Sequence, residues 1–261
     1  MGTLRTALET GTPQLGLVMT YPVPGALERI GAEWDWVWID TQHGQFGYQD
    51  MLAMVRACNL VQRPAIVRVP GHDSDVIGLA LDTGADGVMV PLVDTLEQAR
   101  NAVRAAKFPP LGNRSYGGRR PVDLLGRTYA ETANTDTMLV VQIESPEAVG
   151  NADAIAATPG VDALLLGPND ILLRHGRPAT TPLTKETLGH DLEAVAAACR
   201  RHGKIAATTG MRGETFTFCV NLGYRMLAIG NDAAFLAATS KQASAEAREL
   251  LKSLLRPGSP C

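Results

Sequence analysis

Two acidic residues follow two apolar, strand-length runs that succeed one another along the chain. Glu144 comes directly after Met138–Ile143, and Asp170 follows Ala163–Leu166 through the turn Gly167-Pro168-Asn169. Two carboxylates, completed by water and substrate oxygens, suit a hard divalent cation such as Mg2+ or Mn2+. The same positions also suit acids at helix starts, where the helix dipole favours negative charge. The spacing alone leaves both interpretations open.

Three further polar residues close other apolar runs. Arg68 lies near the end of Ala65–Val69, where an inward-facing guanidinium can hold a carboxylate or a developing enolate. A solvated arginine at the rim fits that position equally well. Asp40 and His43 follow the second run, and a carboxylate beside an imidazole can orient the ring for acid–base chemistry. Such a pair is more often structural than catalytic.

These residues can meet only if the strands deliver them to one place. Short runs rich in Val, Ile and Leu alternate with longer Ala-rich segments, which is typical of repeated βα units. We therefore predict a single-domain α/β protein, residues 1–261, folded as one (β/α)8 (TIM) barrel, with the polar residues at the carboxyl ends of its strands. The predicted strands are Leu15–Thr20, Asp35–Asp40, Pro64–Val69, Gly87–Pro91, Met138–Ile143, Ala163–Gly167, Lys204–Thr208 and Met226–Gly230.

The segments between these strands carry the three-to-four-residue apolar spacing of amphipathic helices. Asp73 and Thr95 are expected to cap two of them, and Gly84, Gly203 and Gly223 follow last turns. The predicted helices are Gln49–Leu60, Asp73–Thr83, Thr95–Ala106, Pro146–Ala157, Thr184–His202 and Met211–Leu222.

One connection, Phe108–Asp136, is rich in Gly, Pro and Arg and is too long for an ordinary loop. Its core, Asn113–Arg120, follows the fourth predicted strand, so we expect it on the catalytic face of the barrel. Gly117-Gly118-Arg119-Arg120 could cradle an anion, although it matches no phosphate-binding fingerprint.

Charge and cysteine usage exclude several classes of protein. A net charge of -3 and a pI near 6.0 argue against a nucleic-acid partner. The apolar runs are too short to cross a membrane, and Met1–Thr12 lacks the apolar run of a secretory signal, so we expect a cytoplasmic protein. Cys58, Cys199, Cys219 and Cys261 are scattered, which predicts no disulfide, zinc site or cysteine nucleophile.

Taken together, the motifs resemble the HpcH/HpaI aldolase family, the metal-dependent class II pyruvate aldolases. No single segment is diagnostic, but the set follows the family's order from about residue 16 to about residue 232. The matching segments are Asp35–His43, Arg68–Pro70, Leu81–Ala85, Val90–Thr95, Phe108–Pro110, Val141–Ser145 and Leu166–Asp170.

The resemblance implies the roles of five residues around a cation. Glu144 and Asp170 would ligate Mg2+, Mn2+ or Co2+, which a 2-oxo acid would chelate through its carboxylate and keto oxygens. Gln142 would support the ligands and the substrate. Gly167 and Pro168 would shape the pocket for the substrate carboxylate.

The resemblance also implies the chemistry. Arg68 would stabilise the enolate oxygen, and His43, oriented by Asp40, would move the proton. The enzyme would then be an aldehyde-lyase that joins pyruvate, or an analogue such as hydroxypyruvate, to an aldehyde. The resemblance further implies a homohexamer, a trimer of dimers, in which a C-terminal helix at 233–255 packs on a neighbouring subunit.

Gln42 stands where a glutamate is common in the family, and Thr208-Thr209-Gly210 replaces residues expected to be apolar. These departures concern the aldehyde side of the pocket more than the 2-oxo acid side.

Three alternatives remain beside this prediction. An acyl-CoA lyase of the citramalyl or malyl type could use the same metal carboxylates on a related barrel. A barrel kept only for binding would need none of this chemistry. A Schiff-base aldolase would need a lysine at the barrel mouth, and none of the five ends a predicted strand: Lys107, Lys185, Lys204, Lys241 and Lys252.

Overall fold

The computed structural model describes residues 4–255, and its strands form one closed parallel barrel. Each strand pairs with the next along the chain, and the last pairs with the first, so the predicted (β/α)8 fold is confirmed. The strands are β1 (Gln14–Met19), β2 (Trp36–Asp40), β3 (Ala65–Arg68), β4 (Gly87–Val90), β5 (Met138–Ile143), β6 (Ala163–Leu166), β7 (Ile205–Thr209) and β8 (Tyr224–Asn231).

The pleat of the strands decides which residues enter the barrel. Side chains alternate between the two faces of a strand, so residues two apart share a face. Trp36 and Trp38 of β2 and Val140 of β5 belong to the apolar cluster inside the barrel. At the carboxyl ends of these strands the same face carries Asp40 and Gln142. These two residues therefore lie at the mouth, which is the end of the barrel where the carboxyl ends of the strands meet. The other face packs under the helices in a second, larger cluster.

The helices surround the barrel. They are α1 (Leu4–Glu9), α2 (Pro24–Ile30), α3 (Tyr48–Leu60), α4 (Ser74–Asp82), α5 (Leu96–Ala106), α6 (Arg119–Leu125), α7 (Tyr129–Asp136), α8 (Pro146–Gly150), α9 (Ala152–Ala156), α10 (Pro168–Arg174), α11 (Lys185–Arg201), α12 (Gly213–Leu222) and α13 (Asp232–Leu254).

Most predicted helices are confirmed, with two local corrections. Thr95 caps α5 by accepting the N–H of Gln98, as expected, but the Asp73 side chain makes no capping bond to α4. The single helix predicted over Pro146–Ala157 is two helices, separated at Asn151. The Asn151 amide donates to the backbone oxygen of Asp94, which ties this break to the loop after β4.

The prediction for the long connection between β4 and β5 is wrong about its position. After β4 the chain returns along α5, so residues 107–137, including Asn113–Arg120, lie at the amino ends of the strands, opposite the barrel mouth. Lys107 donates to Asp162, just before β6, and Arg120 donates to the backbone oxygen of Thr83, just before β4. The segment contains α6 and α7 and has a small apolar cluster of its own around Phe108 and Tyr129.

The last helix, α13, leaves the barrel almost without packing on it. Asp232, at its start, is its one buried residue. Leu250 and Leu254, near its end, are 67% and 71% exposed. The helix is therefore an amphipathic element whose apolar side chains contact solvent in one isolated chain.

Two expectations drawn from composition can be compared with the structure. None of the helices among residues 4–255 is long and apolar enough to cross a bilayer. Cys58, Cys199 and Cys219 are free, buried thiols, and Cys261 lies outside the described residues.

Candidate active site

Asp40 and Arg68 meet because they are direct neighbours in the sheet. The register of β2 against β3 places Asp40 opposite Arg68. Arg68 donates from Nε to Asp40 Oδ1 at 2.9 Å and from Nη2 to Oδ2 at 2.6 Å. The two residues are 3% and 8% exposed. A buried pair with two parallel hydrogen bonds holds the guanidinium plane at a defined place in the mouth.

The carboxylate of Asp40 therefore serves Arg68 and the backbone, and it does not orient the ring of His43. Its Oδ1 also accepts the backbone N–H groups of Gln42 and His43, both at 3.2 Å. The His43 side chain is exposed, and no group among residues 4–255 hydrogen-bonds its imidazole. The structure thus brings His43 to the rim beside Asp40 without the carboxylate–imidazole contact that the sequence suggested.

Two other residues complete the surroundings of Arg68. Gln142, on β5, is 1% exposed, and its Oε1 lies 3.5 Å from Arg68 Nη1. The ring of Trp38 lies under the guanidinium, with 4.8 Å between the ring centroid and the Arg68 Cζ atom. Sequence reasoning found Gln142 but missed Trp38, because a tryptophan in an apolar run looks like ordinary core.

Glu144 is held at the mouth by the backbone of two neighbouring loops. It is 3% exposed, and its Oε2 accepts the N–H of Leu92 at 3.0 Å. A Cβ on Gly167 would lie 2.5 Å from Glu144 Oε1, so this approach requires glycine at 167. The contact with Leu92 was not predicted. In the structure the backbone of Leu92 has a positive φ of 55°, which is uncommon for a residue other than glycine.

The structure excludes the helix-cap interpretation for Glu144, whereas Asp170 does lie in the first turn of a helix. Ser145, not Glu144, caps α8, since its hydroxyl accepts the N–H of Ala148. Gly167 occupies the cap position of α10, with Pro168 next and Asp170 in the first turn. Glu144 therefore caps no helix, and Asp170 is a half-buried first-turn acid on the same side as Glu144.

The electrostatics fit a cation at this place. Burial raises the pKa of Glu144, the Leu92 N–H opposes that rise, and the negative charge of Asp170 adds to it. A divalent cation would reduce the repulsion between the buried carboxylate of Glu144 and the half-buried carboxylate of Asp170. Carboxylate oxygens are also the hard ligands that such a cation prefers. No cluster of three or more His, Cys, Asp or Glu residues suited to a metal occurs within 4–255. The chain would therefore supply the pair, and other ligands would complete the shell.

The first loop of the mouth is fixed by the residue that follows β8, the strand that pairs with β1 where the barrel closes. Asp232, at the start of α13, accepts the backbone N–H groups of Thr20 and Tyr21, both at 2.9 Å. It also accepts the hydroxyl of Thr20 at 2.7 Å. Because these residues are 211 and 212 positions apart, no local sequence signal could have indicated the contact.

The lysines do not support a Schiff-base site. Lys107 is buried at the far end of the barrel, where it donates to Asp162 and to two backbone oxygens. Lys204 donates to the backbone oxygen of Val161, also at the amino ends of the strands. The three other lysines are exposed on helices: Lys185, Lys241 and Lys252.

Comparison with known proteins finds relatives along most of the chain. A model of the HpcH/HpaI aldolase/citrate lyase family matches residues 26–238. A 4-hydroxy-2-oxovalerate aldolase from Novosphingobium aromaticivorans is 41% identical over 67% of this chain and 68% of that protein. A hydroxypyruvate/pyruvate aldolase from Delftia acidovorans is 33% identical over 89% of this chain and 87% of that protein. The crystal structure of an HpcH/HpaI aldolase/citrate lyase family protein from Burkholderia cenocepacia matches with a TM-score of 0.83 and 30% identity, over 94% of this chain and 98% of that one.

Proposed function

Because the chain belongs to the HpcH/HpaI aldolase/citrate lyase family and is an aldolase, we propose that its substrates are 4-hydroxy-2-oxo acids. It cleaves them to pyruvate, or an analogue such as hydroxypyruvate, and an aldehyde, and it forms them in reverse. The observation that carries this proposal is the buried Glu144 carboxylate at the same end of the barrel as Asp170 and the buried Arg68–Asp40 pair. Both related aldolases described above bear names that refer to 2-oxo acids and not to a CoA ester.

In this proposal Glu144 and Asp170 hold a divalent cation, either Mg2+, Mn2+ or Co2+. Such a cation would supply Lewis-acid charge to the keto group of the substrate. Oxygen ligands alone tolerate several such ions, so the site does not depend on one metal. Gly167 and Pro168 line the carboxylate pocket at the start of α10, and Gln142 contacts the substrate from β5.

Cleavage then follows from where charge develops. His43 takes the proton of the 4-hydroxyl group, and the bond between C3 and C4 breaks. The electron pair of that bond forms the C2–C3 double bond, and the π pair of the keto group moves to the oxygen on C2. The aldehyde leaves, and the Arg68 guanidinium donates to the enolate oxygen that remains. Protonation of C3 completes the conversion to the 2-oxo acid. Asp40 contributes by fixing Arg68, with which it shares two hydrogen bonds.

We also propose that the chain, residues 1–261, works as one barrel domain within a homohexamer arranged as a trimer of dimers. Residues 233–255 would pack on a neighbouring subunit. The packing of this helix on a neighbour is supported by the exposure of its leucines, such as Leu250 and Leu254, in one chain.

The proposed reaction is tested with a panel of 4-hydroxy-2-oxo acids, each assayed for release of a 2-oxo acid before and after chelation with EDTA. We expect cleavage of at least one member, loss of that activity after chelation, and recovery with Mg2+, Mn2+ or Co2+. Full activity after exhaustive chelation would contradict the metal-dependent mechanism, and inactivity towards the whole panel would contradict the substrate class.

A further inference from the structure

Trp38 lies directly beneath the polar layer of the mouth. It precedes Asp40 by two residues on β2, so both side chains enter the barrel from the same face of the strand. It is 3% exposed, and its ring centroid is 4.8 Å from the Arg68 Cζ atom. A guanidinium above an aromatic face at this distance forms a cation–π contact, which is strongest with tryptophan and away from water.

The other contacts of Arg68 leave one motion unrestrained. Its Nε and Nη2 groups bond the two oxygens of Asp40, which fixes one edge of the guanidinium. The whole plane can still tilt about that edge, and the 3.5 Å contact of Nη1 with Gln142 is too long to prevent it. The ring of Trp38 supports the face of the guanidinium and so removes this tilt.

The indole N–H of Trp38 also indicates that the residue acts through the face of its ring and not through a hydrogen bond. No acceptor for Trp38 Nε1 exists among residues 4–255, although the atom is buried. An unpaired buried donor lowers the stability of the folded protein, so a hydrogen bond of the indole cannot explain why tryptophan stands at this position. Trp36, two residues earlier, differs in this respect, because its Nε1 donates to the backbone oxygen of Gln14.

We propose that Trp38 is a positioning residue that holds the Arg68 guanidinium in the plane from which Nη1 donates to the enolate oxygen. This inference rests on the proposed function of Arg68. It adds that the orientation of the arginine, and not only its presence, depends on the aromatic layer below it.

The test compares Trp38→Leu and Trp38→Phe, with Trp36→Phe as the matched control from the same strand. Removing a desolvated cation–π contact should lower kcat about ten- to thirty-fold in Trp38→Leu with little change in KM. Trp38→Phe keeps an aromatic face and should lose about three-fold. Trp36→Phe should keep the wild-type kcat, since Trp36 has no contact with Arg68.

Each substitution at position 38 is then repeated in an Arg68→Ala background, which separates positioning from pocket shape. We expect no further loss of kcat there, because the group that Trp38 orients is already gone. An equal loss in both backgrounds would overturn the inference, and the Phe variant keeps this test available if Trp38→Leu does not fold. If Arg68→Ala itself retained the wild-type kcat, the proposed role of Arg68 would fail as well.

Discussion

Replacement of Arg68 by alanine is the perturbation whose consequence the structure specifies most fully. The guanidinium is buried, so its removal takes a preorganised donor from the place where negative charge develops. Loss of one such donor lowers kcat by about 100- to 1000-fold, which corresponds to roughly 3–4 kcal/mol. Glu144 and Asp170 would still hold the cation, and the cation would still bind the 2-oxo acid. KM should therefore change much less than kcat.

The same substitution leaves the Asp40 carboxylate buried at 3% exposure without its cation. Removing one partner of a buried ion pair costs about 3–5 kcal/mol of stability. The double variant Arg68→Ala/Asp40→Asn removes that unpaired charge, so it should regain stability without regaining kcat. Arg68→Lys should recover only part of kcat, because an ammonium group cannot bond both oxygens of Asp40 and also face the substrate.

The assay measures two rates side by side, aldol cleavage and exchange of the pyruvate methyl protons with solvent. Both pass through the same enolate, so Arg68→Ala should slow them by similar factors, with the affinity for Mn2+ unchanged as a control. If cleavage slowed while proton exchange kept the wild-type rate, Arg68 would act on the aldehyde and its assignment to the enolate oxygen would be wrong.

Two further predictions concern parts of the molecule far from the mouth. Lys107→Met should lower the free energy of unfolding by about 1–3 kcal/mol, measured by urea denaturation, because the backbone oxygen of Asn134 loses its buried donor while Asp162 keeps its ion pair with Arg5; a large loss of kcat in the folded variant would contradict this. The wild-type chain should have an oligomeric mass by light scattering at micromolar concentration, and Leu250→Glu with Leu254→Glu should lower it. Leu60→Glu, at an exposed leucine on another helix, is the control, and a wild-type monomer would refute the assembly.

The strands were predictable because a parallel strand covered on both faces is a nearly continuous apolar run. β5 was predicted with the bounds that the structure has, and the other strands differ by one or two residues. The short helices α1, α2, α6, α7 and α10 were missed, since six to eight residues give too few turns for a clear period.

The contacts of Asp40 show why the site was harder to predict than the fold. Along the chain His43 is its polar neighbour, whereas the register between β2 and β3 makes Arg68 its partner. Pairing across a sheet depends on stagger, which a single sequence does not reveal. Asn113–Arg120 was placed on the wrong face for a related reason, because α5 carries the chain back before that segment begins.

The central claim, that Glu144 and Asp170 hold the cation on which cleavage depends, is tested most directly by titrating Mn2+ against Glu144→Gln and following free Mn2+ by electron paramagnetic resonance. Glu147→Gln is the matched control, since Glu147 lies three residues further on and is exposed. We predict that wild type and Glu147→Gln bind Mn2+ equally, while Glu144→Gln loses at least about ten-fold in affinity, or roughly 1.4 kcal/mol, and loses aldol cleavage in parallel. Undiminished Mn2+ affinity in a folded Glu144→Gln variant would contradict the claim.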